Sequence, residues 1–217
     1  MGFIEGLSND ISKKLGNRLD KTEEDISILN YGLFIIIHTS LAIILTILVG
    51  IITNTMNEII VITFSAAWMK RYSGGVHAST PNRCLIVGII VSLVLASCNK
   101  LILPYIGNSE LILTIIILMF LSYIILHYKC PVGTKNKPLK KEETRKRLRK
   151  KAFKLANFYF LIIFISYIFY LNTNIDKIKS LIISILLGLT LQTLMLTAIG
   201  KNLILNIEKL LEKMKIW

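Results

Sequence analysis

The chain has 217 residues, 53% of them hydrophobic, a formal net charge of +13 and a mean hydropathy of +0.62. Its apolar residues come in long runs, which argues against a soluble domain and for a polytopic membrane protein. Three scattered cysteines (Cys84, Cys98, Cys130) and three distant histidines (His38, His77, His127) argue against a disulfide framework and against a metal cluster, so neither a metal nor a cofactor is expected.

Residues 1–27 come first. They lack the continuous apolar core of a cleavable signal peptide. Ile4, Leu7, Ile11, Leu15 and Leu19 step by three or four, which predicts an amphipathic helix lying in the membrane interface. Tyr31 to Ile52 matches the ~20 residues that cross about 30 Å of hydrocarbon. Asn54 to Met69 is shorter and more mixed, and reaches only roughly 24 Å as a helix. A polar stretch, residues 70–84, follows. Cys84 to Leu103 is apolar and stops at Pro104, and Leu111 to Tyr128 is another span. Residues 129–151 read as a basic loop, with eleven Lys and Arg against Glu142 and Glu143. Phe153 to Leu171 and Ile178 to Ile199 are the last spans. Leu203, Ile207, Leu210, Met214 and Trp217 then form an amphipathic tail stripe.

These elements predict an all-α membrane protein in a single polytopic domain, 1–217. It has about six membrane helices, the second one short, with amphipathic interfacial helices at both ends. Charge sets the parity. If residues 54–69 cross, both termini, the polar stretch and the basic loop share one side, and the other side carries only Lys100, Lys177 and Lys179. The positive-inside rule makes the first side cytoplasmic. Nucleic acid is not expected as a partner, because no aromatic residues or recognition motif accompany the charge.

The chemistry concentrates in Lys70-Arg71-Tyr72-Ser73-Gly74-Gly75-Val76-His77-Ala78-Ser79-Thr80-Pro81-Asn82-Arg83-Cys84. Thr80 suits an N-cap and Pro81 the first helical position, so Cys84 falls in the first turn of the next helix. The dipole and free N–H groups there favour a thiolate, and Lys70, Arg71 and Arg83 add positive charge. Taken alone, Cys84 is more often just a small apolar residue at the top of a membrane helix. His77 precedes the cap by three residues, and a loop of that length can bring its imidazole to the thiol. An exposed headgroup-level histidine is the plainer alternative, as His127 illustrates. Gly74 and Gly75 permit positive φ and can offer N–H groups to an oxyanion, though a Gly-Gly pair is by default a plain turn. No acid near the motif completes a triad. Gln192, Asn82 or a backbone carbonyl are the groups left to orient His77.

Arg-Tyr-Ser-Gly-Gly-Val-His-Ala followed by Arg-Cys resembles the AgrB family, the integral-membrane cysteine endopeptidases of Gram-positive quorum sensing. Pro131-Val132-Gly133-Thr134-Lys135-Asn136-Lys137-Pro138 is similar to a second block of that family, Pro-x-x-x-x-Asn-Lys-Pro. Cys130, Gly133 and Phe34 depart from the pattern; Phe34 stands where relatives carry Glu or Gln. The resemblance implies that His77 and Cys84 are the catalytic pair and that Arg71 and Gly75 are motif positions. It implies a substrate too, the precursor peptide AgrD, cleaved before its C-terminal tail through an acyl-thioester on Cys84 and closed to a thiolactone or lactone. It makes the basic loop a receptor for the precursor's acidic tail, with Lys129, Lys135, Lys137, Lys140 and Lys141 as its cations. A pure topology determinant is the other reading of that loop. Two further classes stay open, a peptide transporter or exporter with His38 and Gln192 lining a cavity, and a non-catalytic membrane scaffold. The residues leave the oligomeric state open, a homodimer included.

Overall fold

A computed structural model describes residues 3–76, 78–133, 139 and 141–213, without the side chains of Phe3, Leu211 and Glu212. The described residues form eight α-helices: α1 (Phe3–Arg18), α2 (Glu23–Ile52), α3 (Met56–Ser73), α4 (Pro81–Ile102), α5 (Asn108–Lys129), α6 (Glu142–Thr173), α7 (Asp176–Leu194) and α8 (Ala198–Lys213). A 3₁₀ turn, Leu103–Tyr105, carries Pro104 where α4 stops. Five of these helices (α2, α4, α5, α6 and α7) are long and apolar enough to cross a membrane, which makes this a multi-pass membrane protein. Helix α3 does not qualify by composition, because its 18 residues include Glu58, Lys70 and Arg71.

The chain divides into two compact units, Met1–Leu48 and Val49–Trp217. In the first, Thr22 accepts a hydrogen bond from the Asp25 N–H (3.2 Å), and Glu23, Glu24 and Asp25 fill the positive first turn of α2. The stripe expected on α1 splits. Ile4 is buried with Ser8, Ser12 and Gly16, whereas Leu7, Ile11, Leu15 and Leu19 are exposed. A Cβ on Gly16 would lie 2.3 Å from Ile26, so the small-residue side takes the close approach to α2 and the leucines stay free for lipid.

The second unit is built on α7, which packs against α3, α4, α5 and α6. It is apolar nearly all round, as a helix without a solvent face must be, and buries Ile182, Ile183, Ile185, Leu186 and Leu189. Helices α3 and α7 approach closely because small residues face each other. A Cβ on Gly188 would stand 2.6 Å from the Ile62 carbonyl and 2.8 Å from Ser65 Cβ. Tyr159 of α6 donates its hydroxyl proton to the Ser65 carbonyl (3.0 Å), so the third helix is tied to the same contact.

The unit has two distinct ends. At one, Ser180 of α7 donates to Glu58 of α3 (2.9 Å), and the Asn99 amide of α4 donates to the Ser180 carbonyl (3.1 Å) and to Ser184 (2.9 Å). At the other lie the end of α3, the start of α4, the segment after α5, and the turn from α7 into α8. Helix α3 therefore runs the length of α7. The polar stretch, Lys129 and α8 share one end, and Lys100 and Lys179 lie at the opposite one.

Four boundaries differ from expectation. Helix α2 starts at Glu23 rather than Tyr31, so residues 23–27 belong to it and not to the interfacial segment. Residues 142–151 are not loop: they are the first turns of a continuous 32-residue α6, with Lys146 paired to Glu142 at 2.9 Å. Residues 70–73 extend α3 rather than belonging to a connector. The last span ends at Leu194, not at Ile199. The chain turns at residues 195–197, where a Cβ on Gly200 would strike the Leu194 carbonyl at 2.4 Å, and the Thr197 side chain accepts from the Gly200 N–H (3.4 Å). The tail stripe shifts accordingly: Ile204 is buried and Ile207 half-buried, whereas Leu203 and Leu210 are exposed. Met214 and Trp217 lie outside the described residues.

Candidate active site

Helix α3 ends at a double glycine. Gly74 has φ 71° and Gly75 φ 120°, both in the region that side chains rarely adopt. At Gly74 space is lacking as well, since a Cβ would lie 2.0 Å from the Val132 carbonyl oxygen. The backbone can come that close because Val132, just beyond α5, forms a parallel bridge with Gly74. The Val132 N–H donates to the Ser73 carbonyl (2.9 Å), and the Gly75 N–H donates to the Val132 carbonyl (3.3 Å). The block that begins Pro131-Val132 thus supplies one wall of the loop that leads to His77.

Helix α7 supplies the other wall. Gln192, only 3% exposed, donates from Nε2 to Ser73 Oγ (3.0 Å) and to the Gly74 carbonyl (2.7 Å). The Ser73 hydroxyl donates to the Met69 carbonyl (3.0 Å), so the last turn of α3 is satisfied internally. One step on, the Val76 N–H donates to the Met195 carbonyl (3.5 Å). The Gly74 N–H is engaged too, with the Lys70 carbonyl at 3.0 Å. The two glycines are thus committed donors, and their geometric role is to thread the loop between Val132 and Gln192.

Helix α4 begins as its sequence predicts. Thr80 is extended (φ −125°, ψ 154°), its hydroxyl accepts from the Arg83 N–H at 3.3 Å, and Pro81 opens the helix. Cys84 follows in the first turn, half-buried, with its N–H on the Thr80 carbonyl (3.0 Å). The Arg83 guanidinium donates to Ser79 Oγ (3.2 Å). Helix α8 closes this side. Ile204 and Ile207 pack with Val76, Val87, Val91 and Met195, and the Glu208 carboxylate accepts a hydrogen bond from the Ser79 N–H.

His77 lies outside the described residues, as do Lys135, Lys137 and Lys140. Lys129 ends α5 and Lys141 caps α6; both are exposed. Arg71 is exposed in the last turn of α3, with its guanidinium 6.0 Å over the Tyr72 ring, and Lys151 of α6 approaches the same ring at 5.9 Å. Tyr72 therefore joins the two basic helix ends. In the N-terminal unit, Phe34 and His38 stack on one another (ring centroids 5.6 Å apart).

The other two thiols are placed differently from Cys84. Cys98 is exposed along α4. Cys130 is buried just after α5, and burial pushes its thiol up to about 11, against the opposing pull of the Arg149 guanidinium. Among the described residues, no three His, Cys, Asp or Glu side chains gather to hold a metal ion. Sequence reasoning missed Val132, Met195 and Glu208 as parts of this site. The first two contribute backbone only, which leaves no residue-type signal. Glu208 had one: it is an acid one step after Ile207 and four after Ile204, on the face that turns inward.

Comparison with known proteins agrees over nearly the whole chain. The profile of the family described as accessory gene regulator B matches residues 8–196. A protein of Clostridium perfringens (strain SM101) named "Putative AgrB-like protein" is 35% identical over 213 residues, 98% of this chain and 100% of the relative. "Putative AgrB-like protein 2" of Clostridium perfringens (strain 13) is 33% identical over the same shares. A similarly named protein of Listeria monocytogenes (serotype 4a) is 28% identical over 136 residues, 63% of this chain and 64% of its own. No solved structure gives a significant match.

Proposed function

The chain belongs to the accessory gene regulator B family, and from that premise we propose that it is a membrane cysteine endopeptidase acting on an AgrD-like precursor peptide. The observation that carries the proposal is the position of Cys84. It is a half-buried thiol in the first turn of α4, behind a Thr80 cap, and the loop that leads to it starts at Gly74, where Val132 and Gln192 hold the backbone from two sides. A nucleophile gains from such a place, because a fixed loop lowers the entropic cost of reaction.

In the proposed mechanism His77 takes the proton of the Cys84 thiol. The thiolate attacks the carbonyl at the junction with the precursor's C-terminal tail. The C–N bond breaks, the imidazolium protonates the departing amine, and the acyl group stays on Cys84 as a thioester. A thiol or hydroxyl of the precursor then gives its proton to His77 and attacks the thioester. The ring closes and the Cys84 thiolate is released. Thioester exchange is nearly balanced in free energy, so water must be excluded for ring closure to outrun hydrolysis. Gly74 and Gly75 act in this scheme as backbone spacers, since their N–H groups are already engaged. The exposed cations of Lys129, Lys141 and the first turns of α6 meet the acidic tail, and this end of the bundle faces the cytoplasm.

The test is reconstitution of purified protein with its precursor and detection of the acyl-enzyme by mass spectrometry. Cys84→Ala abolishes the adduct and cleavage, and His77→Ala slows cleavage about 10²–10⁴-fold. Full cleavage by Cys84→Ala sinks the proposal. Vectorial movement of uncleaved peptide would favour a transporter instead.

A further inference from the structure

The end of α7, the turn after it and α8 hold the motif loop at three successive points. Gln192 holds the Gly74 carbonyl, the Met195 carbonyl holds the Val76 N–H, and the Glu208 carboxylate holds the Ser79 N–H. The first two lie within the residues that match the family profile, 8–196, and the third lies beyond them. Glu208 is not a casual surface acid. Ile204, Ile207 and Glu208 share one face of α8 by their spacing of three and four, and the two isoleucines pack on Val76, Val87 and Val91. An apolar contact therefore fixes where the carboxylate sits. The N–H it takes belongs to the residue just before the Thr80 cap, and Arg83 lies on the hydroxyl of that same serine.

We propose that Glu208 is a positioning residue of the site: by accepting the Ser79 N–H it fixes residues 78–80, the short segment that joins His77 to the start of α4, in whose first turn Cys84 lies. This rests on the proposed reaction only for its catalytic consequence. A peptide linking a base to a nucleophile has few routes by which to drift, and one charge-assisted hydrogen bond at its middle removes most of them. Helix α8 is then the outer clamp of the site rather than a free interfacial tail.

The acceptor, not the bulk of the side chain, is what matters, so conservative variants separate the possibilities. Glu208→Gln keeps a carbonyl oxygen at the same reach, Glu208→Ala keeps none, and Lys209→Ala, on the exposed side of α8, is the control. In the reconstituted full-length protein, Glu208→Ala lowers kcat for tail cleavage about tenfold with KM for the precursor unchanged, the size expected for one lost charge-assisted hydrogen bond. Glu208→Gln restores kcat to within a few-fold of wild type. Amide hydrogen exchange of the peptide spanning residues 76–84 speeds up in Glu208→Ala and returns to the wild-type rate in Glu208→Gln. Wild-type turnover and exchange in Glu208→Ala overturn the clamp, and so does equal impairment of the Ala and Gln variants. If wild-type protein cleaves nothing while exchange follows the order given, the proposed function fails and the clamp stands.

Discussion

Three thiols in one chain occupy three environments, and residue type alone does not separate them. Cys84 is half-buried at a helix start, Cys98 exposed along α4, and Cys130 buried behind α5. Burial raises Cys130 because the thiolate would be desolvated, so at pH 8 it stays a thiol. Iodoacetamide at pH 8, read by peptide mass spectrometry, is expected to leave Cys130 unmodified in the folded protein and to alkylate it after denaturation. Rapid labelling of Cys130 in the native state would contradict its burial. The sign for stability follows. Between pH 9, the ordinary value, and about 11 the unfolded chain loses the Cys130 proton and the folded chain keeps it, so stability falls across that window. Cys130→Ala is expected to flatten that fall in the melting temperature, measured against wild type. At Gly74, a side chain meets both a strained φ and the Val132 carbonyl. Gly74→Ala should therefore cost about 1–3 kcal/mol and disturb the Val132 bridge, whereas at Gly75 the strained φ is joined only by a tight contact with Leu196 Cδ2 at 3.3 Å, a side-chain end that can shift.

Among the elements, α3 and α6 show how charge misleads. Lys and Arg at the start of α6 suggest a loop, yet Lys, Arg and Glu are good helix formers, and nothing between Glu142 and Thr173 breaks the helix. At 1.5 Å per residue the helix is roughly 48 Å long, so its basic first turns extend past about 30 Å of hydrocarbon. Helix α3 looks too short and mixed to cross, and is the helix most tightly tied to α7. Its charges lie at its two ends, and its middle offers Ser65 and Ala66 to Gly188. Two glycine substitutions test this packing. Gly188→Leu is expected to part α3 from α7 and to yield aggregated protein in detergent, read by size-exclusion chromatography. Gly88→Leu, on an exposed part of α4 with no atom within 4 Å, is expected to leave a monodisperse peak. Equal behaviour of the two would argue against this interface.

For the whole molecule, the decisive property is which ends of the helices meet. The end of α3, the start of α4, the segment after α5 and the turn into α8 come together through Gly74–Val132, Val76–Met195 and Ser79–Glu208. The opposite end gathers Glu58, Asn99 and Ser180. If the site faces the cytoplasm, cysteines placed at Lys129 and Lys209 react with an impermeant maleimide only after cells are opened. Cysteines at Tyr105 and Lys177 react in intact cells. The reverse pattern would invert the proposed orientation.

The sequence by itself determined the membrane class, the number of long helices, the Thr80-Pro81 start of α4 and the two family motifs. All of these depend on neighbours close in the chain: hydropathy of a run, a cap, a local block. It did not determine what the motifs do for each other. That Pro131-Val132 is the wall against which Gly74 lies, that Gln192 holds the last turn of α3, and that a tail acid reaches Ser79 are contacts between residues 58 to 129 positions apart. Backbone groups, the Gln192 amide and a single tail carboxylate carry them, and no spacing in the linear chain says which of these groups meet. Only the packing of α3 and α4 on α7 decides which of them meet at Cys84's end of the bundle.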